Sequence, residues 1–233
     1  MNGAADTSRG LAEVSRRCWH IVVFAVLVPA LLSCTTENPN IRVKRLPNDR
    51  LQVAGPLMGP YSSLEELAEN ACKLVIQQPG AAHGRYGFEY CGLYYRAEGA
   101  YFHSYLSDIG DGWGNMKYCE VPQELDDPSH PDAIILGPSH NHPHNPEFSP
   151  EDMSARNAWQ PTRLVDTETR KVVDRHLLLF YHGNQGECWA FRYNYATRVI
   201  SALRNRQWVS IGKVVDDAGN FRLFEGEAWI RNP

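Results

Sequence analysis

The chain has 233 residues, 43% of them hydrophobic, and a formal net charge of −4. That length is enough for one domain with a sizeable hydrophobic core. No run of lysine or arginine stands out, and the net charge is negative, so the electrostatic signature of a nucleic-acid binder is missing. We therefore expect no nucleic-acid partner.

Residues 1–33 have the features of an export signal. Arg9, Arg16 and Arg17 form a basic region, and the apolar run from Ile21 to Leu32 carries no charge. This run is shorter than the roughly 20 residues that a membrane-spanning helix needs, but it suits a secretory signal. An ordinary signal peptide or a single N-terminal anchor helix is the alternative interpretation.

The end of the apolar run, Leu31-Leu32-Ser33-Cys34, resembles the lipobox of bacterial lipoproteins. In that family the cysteine is acylated, for example with palmitate, and becomes the mature N-terminus. The resemblance predicts lipidation at Cys34, contact with the membrane through this lipid anchor, and a location in the bacterial cell envelope, at the outer membrane. Residues 34–60 would then be a tether that leads into the folded domain.

Four cysteines follow the proposed lipid site. An exported chain with four such residues is expected to form up to two disulfides, and the sequence leaves all three connectivities open. None belongs to a C-x-x-C pair, which argues against a cysteine zinc ribbon. The four are Cys72, Cys91, Cys119 and Cys188.

The first predicted elements are a short hairpin and a helix. Apolar runs at 41–44 and 51–54 flank the turn signal Pro47-Asn48-Asp49. Beyond Pro60, a serine with a glutamate three residues later is a capping-box signature, and apolar residues then repeat at helical spacing. This pattern predicts an amphipathic helix from about residue 63 to 77.

The rest of the chain is predicted to alternate strands with one further helix. Aromatic residues dominate two strand-like runs, and an apolar run at 132–136 leads directly into the histidines described below. The predicted elements are strands at 87–96 and 100–107, a helix at 149–159, a hairpin of 175–181 with 187–193, and strands at 207–215 and 221–224.

The stretch Ser139-His140-Asn141-His142-Pro143 offers two imidazoles on one side of a strand end, because side chains alternate with a period of two. Two imidazoles make half of a tetrahedral zinc site, and Asp152 can supply a third ligand if the intervening loop folds back. Water would take the fourth position, with its pKa lowered to about 7. Glu89 lies in an aromatic segment that should raise its pKa, which suits a general acid/base.

The order of these residues resembles a known motif. Glutamate, then His-x-His, then Ser-x-x-Asp is the JAMM motif of the JAB/MPN family of zinc metallopeptidases, which includes deubiquitinating isopeptidases. The resemblance covers about residues 62–195 and is closest to a JAB-like domain of unknown function found in bacterial polymorphic toxins. It implies an α+β fold that is JAB/MPN-like (deaminase-like), with a mixed, mostly antiparallel sheet and flanking helices. Residues 61–195 would form the catalytic domain, and 196–233 a β extension of it.

The resemblance also implies roles for individual residues. His140, His142 and Asp152 would bind Zn²⁺, Glu89 would be the general acid/base, and Ser149 would help to hold the oxygen of the tetrahedral intermediate. One feature departs from the family: six residues separate His142 from Ser149, where these peptidases usually have seven. The implied activity is hydrolysis of an amide or isopeptide bond in a peptide or protein of the cell envelope.

Several alternatives stay open. The segment Ser149-Pro150-Glu151-Asp152 also fits a helix N-terminus without any metal. His144 is a competing ligand, as are Cys91 and Cys119. The chain could instead be a non-catalytic envelope lipoprotein that acts as a binding module, or a deployed toxin or effector.

Overall fold

The computed structural model describes residues 37–113 and 116–230. The predicted signal segment and the lipid site at Cys34 lie outside these ranges. The described residues from 39 onward form one compact unit. Within the part that is described, no helix is both long enough and apolar enough to cross a membrane.

Strands dominate the described residues, which include only two α-helices, α1 (Leu64–Ile76) and α2 (Pro150–Met153). A 3₁₀ turn covers Gly84–Tyr86. The strands are β1 (Val43–Arg45), β2 (Leu51–Ala54), β3 (Met58–Tyr61), β4 (Cys91–Ala97), β5 (Ala100–His103), β6 (Gly110–Trp113), β7 (Met116–Cys119), β8 (Glu124–Asp126), β9 (Ile134–His142), β10 (Arg163–Val165), β11 (Val172–Asp174), β12 (His176–His182), β13 (Cys188–Asn194), β14 (Val199–Arg204), β15 (Gln207–Val214) and β16 (Phe221–Leu223).

A nine-stranded sheet forms the centre of the unit, with the order β16-β15-β14-β13-β12-β9-β4-β5-β3. Strands β9 and β12 pair in parallel, and the other neighbours pair antiparallel. The expected α+β fold of the JAB/MPN type, with helices flanking the sheet, is therefore wrong. The described part of the chain is mostly β, and only one of its two helices is longer than four residues.

The shortness of α2 accounts for much of the difference between the predicted and the observed helix content. It was expected to run from 149 to 159, but α2 ends at Met153 and Ser154 is extended. The backbone N–H of Ala155 then donates to the carbonyl of Asp217, in a distant loop, instead of continuing the helix. A tertiary hydrogen bond thus replaces the helical one, which short sequence patterns cannot predict.

Other predicted elements are present. The hairpin of β1 and β2 forms, as does the hairpin of β12 and β13. Helix α1 lies within the predicted range, and the Ser63 side chain accepts a hydrogen bond from the backbone N–H of Glu66 at its start. The predicted tether is partly folded, however, because β3 joins the edge of the large sheet.

The two faces of the sheet bury different partners, because neighbouring residues of β12 alternate in direction. Leu178 and Phe180 pack with α1 on one face. Leu177 and Leu179 pack on the other face against Phe148, Met153 and Trp229. The segment around α2 therefore lies on the face opposite α1.

Candidate metal centre

Strand β9 carries His140 and His142 at its C-terminal end. In the parallel register, His140 lies opposite Leu179 of β12, so both rings are on the face that packs against α2. The two residues are only 5% and 7% exposed. Buried imidazoles on one face must find polar partners, because an unsatisfied polar group costs free energy in an apolar interior.

Helix α2 supplies that partner. Phe148 and Met153 are almost completely buried on the same face, and each buried side chain of this size stabilises its segment by roughly 2 kcal/mol. A capping box then fixes the carboxylate between them: the N–H of Ser149 donates to Oδ2 of Asp152 at 2.8 Å, and the N–H of Asp152 donates to Oγ of Ser149 at 3.1 Å. Packing and capping together aim Asp152 at the histidines.

Four side-chain atoms from three residues converge at this point. His140 Nε2 lies 3.2 Å from His142 Nε2. Oδ1 of Asp152 is 3.5 Å from the first nitrogen, and Oδ2 is 3.4 Å from the second. Among the described residues, these three form the group whose geometry suits a metal ion.

The separation of 3.2 Å between the two Nε2 atoms suits tetrahedral coordination. Ligand atoms about 2.0–2.1 Å from zinc, at tetrahedral angles, lie roughly 3.3–3.4 Å apart. The shortest nitrogen–oxygen contacts, 3.4 and 3.5 Å, are to different oxygens of Asp152. Two imidazole nitrogens and one carboxylate this close together are a donor set that fits a divalent cation.

The contact of His142 with a residue outside this group of three favours the same interpretation. Nδ1 of His142 lies 3.3 Å from Oδ1 of Asn145, an atom that can only accept. The proton of His142 therefore belongs on Nδ1, which leaves the Nε2 lone pair available to a metal. His144 is exposed, and its ring stacks beside His142 with 6.4 Å between centroids, outside the three-residue group.

Asp152 is ionised in this arrangement. Burial opposes the charge, but the charge and hydrogen bonds of His140 and His142 lower the pKa of Asp152 well below its ordinary value. An ionised carboxylate is the form of Asp152 that can bind a metal ion.

Glu89 lies just before β4 and lines the same cavity as the three residues above. Burial raises its pKa to about 8, the charge of Asp152 adds to this, and His142 and the backbone N–H of Cys119 act in the opposite direction. A cation at the histidines would lower the pKa again. A carboxyl group whose pKa lies near neutral pH is suited to taking up and releasing a proton.

The cavity has a volume of about 850 Å³. Ser149 and Tyr118 line it together with Glu89 and the three candidate ligands. The Ser149 hydroxyl accepts a hydrogen bond from Asp152, so its own proton stays available to donate.

The sequence matches no protein-family model, no curated protein and no solved structure.

The four cysteines that follow the signal segment pair with one another, as Cys72–Cys188 and Cys91–Cys119. Neither Cys91 nor Cys119 is therefore a free thiolate ligand, although both line the cavity.

Sequence reasoning missed Asn141 and Asn145 as supporting residues. The available signal was a polar side chain between the two histidines and another just after them.

Proposed function

We propose that the chain is a zinc-dependent hydrolase that cleaves an amide or isopeptide bond. The observation that carries this proposal is the convergence of His140, His142 and Asp152, with 3.2–3.5 Å between their nearest polar atoms, beside a cavity of about 850 Å³. Zinc held there would polarise a carbonyl group and lower the pKa of a water molecule to about 7.

The number of protein ligands favours catalysis over a structural ion. Structural zinc sites usually have four protein ligands, whereas catalytic sites have three and leave one position to water or substrate. Here three side chains converge, and the same side chains line the cavity.

Neighbouring residues fit defined roles in the reaction. The Glu89 carboxylate would take a proton from the attacking water and deliver it to the leaving amine, for which its raised pKa is suitable. The Ser149 hydroxyl would donate a hydrogen bond to the oxygen that gains charge at the scissile carbonyl. The order of these residues along the chain, like that of the JAMM motif, supports the same assignment without requiring the JAB/MPN fold.

We further propose that the protein works outside the cytoplasm, anchored by a lipid at Cys34 to the bacterial outer membrane. The two disulfides are compatible with an oxidising compartment. In that location, peptides or proteins of the cell envelope are the expected substrates.

The proposal is tested with the full chain, purified in detergent, on a library of quenched-fluorescence peptides. We expect zinc-dependent cleavage that a chelator abolishes and zinc restores. Glu89→Gln should bind zinc normally and lose at least 100-fold in kcat, because loss of a general acid/base typically costs 10²–10⁴-fold. Normal zinc binding without cleavage of any peptide would contradict a peptide hydrolase and favour a binding module.

A further inference from the structure

Asn141 lies between the two candidate ligands in β9, but its side chain is on the other face of the sheet. In the register with β12 it is opposite Phe180, which packs with α1, whereas the histidines are opposite Leu179 and Tyr181. Asn141 is completely buried. A buried amide at this position needs hydrogen-bond partners, and those partners show what the residue holds in place.

All three partners are backbone atoms from the chain that leads into β4. Oδ1 of Asn141 accepts from the N–H of Tyr90 at 2.8 Å. Its Nδ2 donates to the carbonyl of Phe88 at 3.0 Å and to that of Ala81 at 3.1 Å. Two of these bonds are to the residues immediately before and after Glu89.

These bonds replace strand pairing where it ends. The ladder between β4 and β9 reaches its last pair at Cys91 and His140, so the backbone of Glu89 lies beyond the paired region. The Asn141 amide supplies both an acceptor and a donor there, much as a paired strand would. Continuing the antiparallel register by two residues places Glu89 opposite His142.

We propose that Asn141 is the positioning residue for Glu89, fixing its carboxyl group relative to the metal-binding histidines. The inference rests on the proposed function, because it assumes that Glu89 is the general acid/base. Strand β9 thus presents the two histidines on one face, while Asn141 on its other face holds the backbone on both sides of Glu89.

Ser139 provides a matched control. It is two residues earlier in β9, on the same face as Asn141, and is 1% exposed. Its Oγ bonds Nε2 of His103, in β5, at 2.7 Å, away from the segment that carries Glu89. Ser139→Ala therefore removes a buried hydrogen bond from the same strand without releasing Glu89.

The test is a double-mutant cycle of Asn141→Ser with Glu89→Gln in the full chain, using the best peptide from the fluorescence library. With Glu89 present, Asn141→Ser should lower kcat by about 100-fold, since a displacement of about 1 Å can cost that much. KM should change less than threefold. In the Glu89→Gln background, the second substitution should change the residual kcat less than threefold.

Metal binding and the control separate positioning from general damage. Calorimetric titration with ZnCl₂ should give about one ion per chain in Asn141→Ser, with an affinity within a few-fold of the unsubstituted protein. Ser139→Ala should change neither kcat nor zinc affinity by more than threefold. An equal loss of kcat from Asn141→Ser in both backgrounds, or loss of zinc binding, would overturn the proposal.

Failure of the two proposals can be distinguished. If Glu89→Gln leaves kcat unchanged, the general acid/base assignment itself is wrong. If Asn141→Ser does not fold, amide hydrogen exchange in the unsubstituted protein decides the matter. The Tyr90 N–H should exchange as slowly as the Leu93 N–H, which donates to the buried Ser104 hydroxyl. Fast exchange at Tyr90 would contradict a fixed segment.

Discussion

Lowering the pH from 8 to 5 should destabilise the fold through His103, a residue of β5 that bonds Ser139 in the strand that carries His140 and His142. His103 has no exposed surface. Its Nδ1 lies 2.7 Å from the carbonyl oxygen of Ser104, so Nδ1 carries the proton, and its Nε2 accepts from the Ser139 hydroxyl at 2.7 Å. Burial lowers the pKa of His103 to about 4, against 6.5 ordinarily, and the Ser104 carbonyl opposes this shift.

The sign and size of the effect follow from linkage. The unfolded chain binds a proton at His103 more tightly than the folded one, so the contribution to stability is intact above pH 6.5 and is lost as the pH falls toward 4. With these two pKa values, the loss between pH 8 and pH 5 is about 2 kcal/mol, and about 3 kcal/mol once the pH is below 4.

Urea unfolding of the unsubstituted protein and of His103→Gln, at pH 8 and pH 5 with a chelator present, measures this contribution. Glutamine does not titrate, and its amide can still accept a hydrogen bond from the Ser139 hydroxyl. Between the two pH values, the substituted protein should lose about 2 kcal/mol less free energy of unfolding. Equal losses in both proteins would refute the reasoning, because His103 would then not be buried in its neutral form.

Two further predictions concern the contact between His142 and Asn145 and the two disulfides. Asn145→Ala should weaken zinc binding about 10–100-fold in a calorimetric titration, because it removes the hydrogen bond that orients His142. The control is Asn157→Ala, which should leave the zinc affinity unchanged. Asn157 lines the same cavity, but its side chain donates to the carbonyl of Glu151. Replacing the Cys72–Cys188 pair by alanines should cost about 5 kcal/mol of unfolding free energy and the Cys91–Cys119 pair about 4, since the closed loops span 116 and 28 residues. The reverse order in chemical denaturation would contradict the loop-closure argument.

Local patterns predicted that His140, His142 and Asp152 lie together, as they do in the structure, but they did not predict the fold class. His140 and His142 share a face because a strand alternates, and Asp152 follows a capping signature that can be seen in the sequence. The loop of six residues between His142 and Ser149 still allows the three candidate ligand residues to converge. What the pattern could not provide was their mutual distance, which depends on the burial of Phe148 and Met153.

The fold class was mispredicted because it depends on long-range contacts. The helix expected at 149–159 stops early, since the Ala155 N–H bonds a loop more than 60 residues away. Strand β14 was not predicted, yet it pairs with β13 and β15 in the middle of one half of the sheet. The disulfide pairing, which joins α1 to β13 and β4 to β7, also follows from long-range contacts and was left open by the cysteine spacing.

The most direct test of the account is the zinc content of the purified full chain, compared with that of His140→Ala/His142→Ala. After addition of ZnCl₂ and removal of the excess, the account predicts about one zinc ion per chain in the unsubstituted protein and none in the double variant, with both proteins equally folded by circular dichroism. No bound zinc in the unsubstituted protein, or equal zinc in both, would contradict a metal centre at the end of β9.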